Sequence, residues 1–446
     1  MLNPALIDFY RCPESFASYT LAGPLSEDSG FFCFGQDTNC YGQCSSGSRA
    51  KRATEAFYDA LGDVTADGAG PCLPFNPAQV IENLRCERYV SNSHDRSYPQ
   101  YGATWNAYHL MRPFLPVSVR KHLQKIYLKG WKEIRFPNWP VDCTVERVLE
   151  RLLVLSLRAQ GVEKIPFIWF WPEGARNCLL MTHDVETAVG RDFTPQLMDL
   201  NDSHGIKASF QVVPEKRYEV PDGYVNEIRR RGFEFNIHDL NHDGFLFREH
   251  EEFRRRAARI NQYVRRYQSR GFRSGAMYRN QEWFDAFEFS YDMSVPSVAH
   301  LEPQRGGCCT IMPYFVGKIL EIPLTTTQDY SLFHILNDYS IDLWKEQLSL
   351  IQQRHGLMSF IVHPDYVIKH RARKVYEALL DYLRQIISRE NVWAALPGEV
   401  DCWWRARSQM KLVCQGNNWT VEGPEKDKAR VAYAVLDGDR LEYELA

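Results

Sequence analysis

Leu180-Met181-Thr182-His183-Asp184-Val185-Glu186-Thr187 ends an apolar run with three ionisable side chains inside four residues, as a buried strand does where it empties into a reactive site. On a strand, Asp184 and Glu186 lie two residues apart and point the same way. One carboxylate can then hold a metal while the other moves protons. His238 and His242, in Asn236-Ile237-His238-Asp239-Leu240-Asn241-His242, have the spacing that puts two imidazoles on one face of a helical turn, a frequent zinc arrangement. Joined to a carboxylate from another strand end, they form a His-His-carboxylate set with a coordination position left for water or substrate. Arg273, closing Phe272-Arg273-Ser274-Gly275, can keep a neighbouring carboxylate ionised, and His363, opening His363-Pro364-Asp365-Tyr366, can protonate a leaving amine. Taken singly, each also has an ordinary reading: a chance histidine pair, a structural ion pair, a hydrogen-bonded core histidine. Their shared place at the ends of apolar runs sets them apart.

The elements that must position them follow one pattern from about residue 175 to 405. Short apolar runs end in polar residues and are each followed by a helical stretch. They begin at Asn177, Lys207, Phe233, Phe272, Phe289, Ile319 and Leu357. Such strand–helix alternation predicts a parallel α/β barrel or sheet, with the chemistry at the carboxyl ends of the strands. Phe253, Ala257, Ile260, Val264 and Tyr267 give an otherwise basic helix its apolar face.

Outside that region, Val145, Val148, Leu149, Leu152 and Leu153 after a capping Thr144 predict an amphipathic helix ending near Gly161. Ser48–Leu61 reads as one further helix. Arg120, Lys121, Lys125, Lys129 and Lys132 lie beside Tyr127, Trp131 and Trp139. That mixture suits either contact with an anionic membrane surface or a solvated basic face whose aromatics turn to the core. Near the end, Val431–Leu436 and Arg440–Leu445 flank Asp437-Gly438-Asp439, a hairpin signal. Three segments result: 1–174 of unassigned role, helical in its second half; a barrel over 175–408; and a small β appendage over 409–446.

The whole chain limits the function classes. With 446 residues, 44% hydrophobic and 24% charged, it can build substantial cores. A formal net charge of −3 argues against nucleic acid as the partner. No basic segment followed by an apolar one opens the sequence, and no run approaches the ~20 apolar residues of a membrane span, so a cytoplasmic protein is expected. Twelve scattered cysteines then read as reduced thiols, and the Cys33, Cys40, Cys44 cluster lacks a standard metal spacing.

In order and spacing, Thr182-His183-Asp184-Val185-Glu186, His238-Asp239-Leu240-Asn241-His242, Arg273-Ser274-Gly275-Ala276-Met277-Tyr278, Thr325-Thr326-Thr327-Gln328-Asp329-Tyr330 and Ile361-Val362-His363-Pro364-Asp365 resemble the polysaccharide deacetylase (NodB-homology) family of carbohydrate esterases, over roughly residues 176 to 400. The resemblance implies a distorted (β/α) barrel, one divalent metal and hydrolysis of N-acetyl groups on amino sugars, here in a glycan or a glycan precursor. Carried over, Asp184 is the catalytic base, Glu186, His238 and His242 bind the metal, Arg273 orients the base, and His363 is the acid, supported by Asp329 or Asp365. A backbone N–H near Met277 or Tyr278 would stabilise the oxyanion, and His183 would line or brace the rim. The commoner pattern has a metal-binding aspartate at the position of Val185. Glu186 fits a D-x-D variant with a longer arm. The usual proline of the arginine motif is replaced around Ala276, and the acidic motif lacks its second aspartate and its tryptophan. Zinc is the expected metal, although cobalt, nickel or manganese suits the same donors. Hydrolysis of a non-sugar amide and a non-catalytic carbohydrate-binding module remain the rival functions.

Overall fold

The computed structural model describes residues 1–53, 57–66, 70–92, 117–416 and 418–446. At its centre is a nine-stranded sheet curled into an open barrel. Its strands run in the order Tyr314–Val316, Ile319–Glu321, Tyr291–Asp292, Gly271–Arg273, Glu234–His238, Ala208–Val212, Asn177–Val185 and Leu357–Ile361, and Val392–Ala395 also pairs with the start of Asn177–Val185. All pairings are parallel except that of Tyr314–Val316 with Ile319–Glu321. Strands covered on both faces read as unbroken apolar runs. Asn177–Val185, with every residue buried, is the clearest case.

Six of the apolar runs become strands much where the sequence puts them. The run from Phe272 contributes only Gly271–Arg273 before it turns into a tight loop. Val392–Ala395 and Tyr314–Val316 are additions, too short to show a period. The basic helix is His250–Tyr267, and its five predicted apolar residues are all buried. Each such side chain contributes about 1.5–3 kcal/mol when fully removed from water.

The helix over 144–160 forms as Thr144–Gln160 and ends at Gly161 in the left-handed conformation, with φ 63°. Its start differs by one position. Cys143 is the cap, and the buried Asp142 carboxylate accepts from the Thr144 N–H at 2.8 Å, doing the work expected of Thr144. Among the described residues of 48–61 there is no α-helix, only the start of the tight turn Ala60–Asp63. Residues 54–56 lie outside the described set.

The predicted hairpin forms from Val431–Asp437 and Arg440–Leu445, and it pairs with Lys164–Ile168 in a three-stranded sheet. Buried residues from the first ninety positions join the same hydrophobic core as the barrel. The amino-terminal region also meets the barrel through hydrogen bonds, among them the Tyr314 hydroxyl donating to the Arg85 carbonyl at 3.1 Å.

Candidate active site

Asp184 and Glu186 project from the carboxyl end of Asn177–Val185 into one cleft, as strand alternation requires. His183, one position before Asp184, faces the other way. Its Nδ1 donates to the Val362 carbonyl at 2.9 Å, and its Nε2 accepts from the Asn201 amide at 2.8 Å. Burial pushes its pKa down to about 4, so it is a neutral strut under two helices and does not line the rim.

His238 ends Glu234–His238, but the chain does not enter a helical turn. Asp239 and His242 both take left-handed φ values, 55° and 53°, and the resulting loop brings the second imidazole back beside the first. Ring centroids are 4.9 Å apart. The pair therefore shares a site for a reason other than helical spacing. Non-glycine residues enter this region at a cost of roughly 1 kcal/mol each. The fold supplies that through Arg217, whose guanidinium donates to the Asn241 carbonyl at 3.2 Å and the His242 carbonyl at 2.5 Å. Nothing in the local sequence pattern points to Arg217, since its partners lie 24 and 25 residues away.

Arg273 organises both halves. Its guanidinium donates to Asp184 Oδ1 at 2.6 Å and to Thr182 Oγ1 at 2.8 Å, and its Nε donates to the Met293 carbonyl at 2.9 Å. Its own carbonyl accepts from His238 Nδ1 at 3.0 Å and from the Asp239 N–H at 2.8 Å. That bond leaves His238 Nε2 facing the carboxylates, 3.6 Å from Glu186 Oε1 and 3.7 Å from Asp184 Oδ2. Burial pushes the Asp184 carboxyl up, but Arg273, His238 and His363 outweigh it and hold the group below its ordinary range.

His242 Nε2 lies 2.8 Å from Glu186 Oε1, and His363 Nε2 lies 3.4 Å from the same oxygen. The His363 ring is fixed from behind. Asp329 accepts from its Nδ1 at 2.6 Å and from its backbone N–H at 2.8 Å, whereas buried Asp365 Oδ1 makes no hydrogen bond. Of the two carboxylates left open by the sequence, Asp329 is the one against His363. Burial lowers the His363 pKa, and the Asp329 and Glu186 charges more than reverse this, holding it well above the usual histidine value.

The donor set fits a metal ion. Glu186, His238 and His242 each offer one ligand atom, all within 4.8 Å of one another, and this is the sole such His, Cys, Asp or Glu cluster among the described residues. The buried Nε2 atoms of His238 and His242 make no hydrogen bond, a cost that a bound cation removes. A tetrahedral ion with bonds near 2.1 Å places its donors roughly 3.4 Å apart, between the 3.6 and 2.8 Å separations of Glu186 from His238 and His242. Asp184 borders the same point, with Oδ2 3.7 Å from His238 Nε2.

Next to the histidines runs the loop Gly275–Tyr278, with Ala276 at φ 56° and Met277 at φ 54°. A Cβ on Gly275 would lie 2.5 Å from Asp239 Oδ2 and 3.0 Å from the His242 ring. Gly275→Ala is thus expected to push His242 out of register and weaken the binding of a divalent metal by roughly 10–100-fold, the scale of disturbing a ligand's support. Chelator competition measures this.

Residues 172–279 match the family model described as polysaccharide deacetylase. No curated protein matches the chain. Among solved structures, a Mycobacterium smegmatis protein provisionally assigned as a polysaccharide deacetylase is 18% identical, with a TM-score of 0.44, over 56% of this chain and 98% of that one. PuuE allantoinase is 12% identical, with a TM-score of 0.42, over 53% and 92% of the two chains. The Bacillus subtilis peptidoglycan deacetylase PdaC is 11% identical, with a TM-score of 0.33, over 50% and 90%. The segment that matches the polysaccharide deacetylase model is the one that carries Asp184, Glu186, His238, His242 and Arg273.

Proposed function

We propose that the protein is a metal-dependent hydrolase that removes the acetyl group from an N-acetylated amino sugar in a glycan or glycan precursor. One observation carries the reading: two buried, unbonded imidazole nitrogens and Glu186 face one point, with Asp184 held by Arg273 on one side and His363 held by Asp329 on the other. Zinc, held by Glu186, His238 and His242, would polarise the acetamide carbonyl and lower the pKa of water from 15.7 towards about 7. Asp184 takes the proton from the attacking water. Arg273 keeps Asp184 anionic and aims its second oxygen into the cleft. The carbonyl carbon gains a C–O bond and then loses its C–N bond. A backbone N–H near Met277 or Tyr278 would meet the developing oxyanion. His363 Nε2 gives its proton to the departing nitrogen, so acetate and a free amine leave.

Acetate released from N-acetylglucosamine oligomers, assayed with an equal panel of small linear and cyclic amides, tests the substrate class. Release from the sugars alone is expected. Turnover confined to the small amides would transfer the same site to a non-sugar substrate, and one bound metal with no turnover of either would favour a binding module.

Membrane contact is a second part of the proposal. The helix Val117–Tyr127 leaves Leu123, Ile126 and Tyr127 exposed near Lys125, Lys129 and Lys132, and Gln124 hydrogen-bonds Tyr330 next to Asp329. Trp131 instead packs edge-on against Trp139, whose ring stacks over His300. No helix among the described residues is long and apolar enough to cross a membrane. Each basic residue near an anionic surface contributes about 1 kcal/mol, so flotation with anionic liposomes should be strong at low salt and lost at high salt. Salt-independent absence of binding would leave these residues as a solvated face.

A further inference from the structure

One buried side chain of the amino-terminal region, Glu87, binds Arg279, the residue that follows the Gly275–Tyr278 loop. Helix Pro77–Arg85 ends at Cys86, and Glu87 follows in the left-handed conformation at φ 57°. Glycine or asparagine is usual at that place. Here the turn swings a carboxylate into the barrel. Glu87 is 4% exposed and takes the Arg279 guanidinium in two bonds: Nε to Oε2 at 2.6 Å, and the neighbouring amino group to Oε1. The Gly307 N–H also donates to Oε1, at 2.6 Å, and a Cβ on Gly306 would lie 2.6 Å from that oxygen. Gly306 and Gly307, at φ 113° and 141°, make the space.

Arg279 passes this anchorage on. Its remaining amino group donates to the Met277 carbonyl at 2.8 Å. Met277 is the second of the two left-handed residues in the loop that presses on His242. Backbone strain of this kind persists only where surrounding contacts over-determine it, and the Arg279 bond to Met277 is such a contact. Gln304 closes the other side, accepting from the Arg279 N–H at 2.9 Å and donating to its carbonyl at 3.1 Å.

We propose that Glu87 and Arg279 are positioning residues for the Gly275–Tyr278 loop, so that the amino-terminal region completes the site's geometry without touching substrate. The inference rests on the deacetylase reading for its kinetic arm alone. Breaking a buried charge pair endangers folding, so Arg279→Lys is the first variant. It keeps the charge opposite Glu87 but lacks the fork needed to bond Met277 at the same time. Glu87→Met with Arg279→Met, which removes both charges together, is the second. Glu82→Gln, at an exposed ion pair on the same helix, is the control.

The measurement on the full chain is hydrogen exchange, comparing amides 275–279 with those of strand Asn177–Val185, followed by kcat and KM on N-acetylglucosamine oligomers. Both test variants should exchange faster in the loop and as wild type in the strand. A displacement near 1 Å costs on the order of 10²-fold in rate, so kcat should fall 10–100-fold with KM within about threefold. Glu82→Gln should match wild type throughout. Unchanged loop exchange in folded variants would overturn the proposal, as would faster exchange with kcat unaltered. A wild-type protein inactive on these sugars would sink the substrate reading, and the exchange arm would still decide whether the loop is held from the amino-terminal region.

Discussion

Asp184→Asn is expected to keep one equivalent of metal and lose turnover by roughly 10²–10⁴-fold, the usual size of a general-base contribution. The amide is nearly isosteric and still accepts from Arg273, so the cleft keeps its shape, but it cannot take a proton from water at neutral pH. Glu186→Gln should behave in the opposite way. Glu186 Oε1 lies 2.8 Å from His242 Nε2 and 3.4 Å from His363 Nε2, and neutralising it should weaken the ion's hold more than it disturbs proton transfer. High added zinc should therefore restore much of the Glu186→Gln activity and none of the Asp184→Asn activity, as measured by initial rates across a zinc titration. A reversed pattern would exchange the two roles.

The second large effect concerns the imidazoles. His238→Ala and His242→Ala should each abolish metal retention after gel filtration, because a site with three protein donors loses a third of them. Changes beyond the ligands typically cost 10–100-fold in affinity, and loss of a ligand must exceed that. The fold should survive His238→Ala, since the Arg273 carbonyl still accepts from the Asp239 N–H. Elemental analysis with a thermal melt separates the two effects. A full equivalent of tightly held metal in either variant would remove that histidine from the site.

The carboxylates were legible in the sequence because strand alternation is a strict period of two, and a run buried along its whole length cannot slip in register unnoticed. The histidines were legible as a pair, but the reason for their proximity was not. They meet through left-handed turns at Asp239 and His242, residue types that enter that conformation more often than most side chains but too seldom for the sequence to mark it. The choice of Asp329 over Asp365 behind His363 was equally hidden. Proximity in sequence favours Asp365, and the fold brings Asp329 across 34 residues to accept both the ring and the backbone N–H. Glu87 and Arg279 are 192 residues apart, and the first lies in a stretch of weak periodicity, so no pattern links them. Among the described residues of 48–61, extended bridges from Ala50 to Phe31 and from Asp59 to Cys33 stand in place of the predicted helix, tertiary pairing that local propensity does not show.

Anomalous diffraction from crystals loaded with zinc, recorded at the zinc edge, is the most direct measurement of the central claim. The account predicts one peak within about 2.0–2.2 Å of Glu186 Oε1, His238 Nε2 and His242 Nε2, with Asp184 close by but outside that distance. A fully loaded protein whose zinc peak lies elsewhere, or whose Asp184 replaces Glu186 among the ligands, would contradict it.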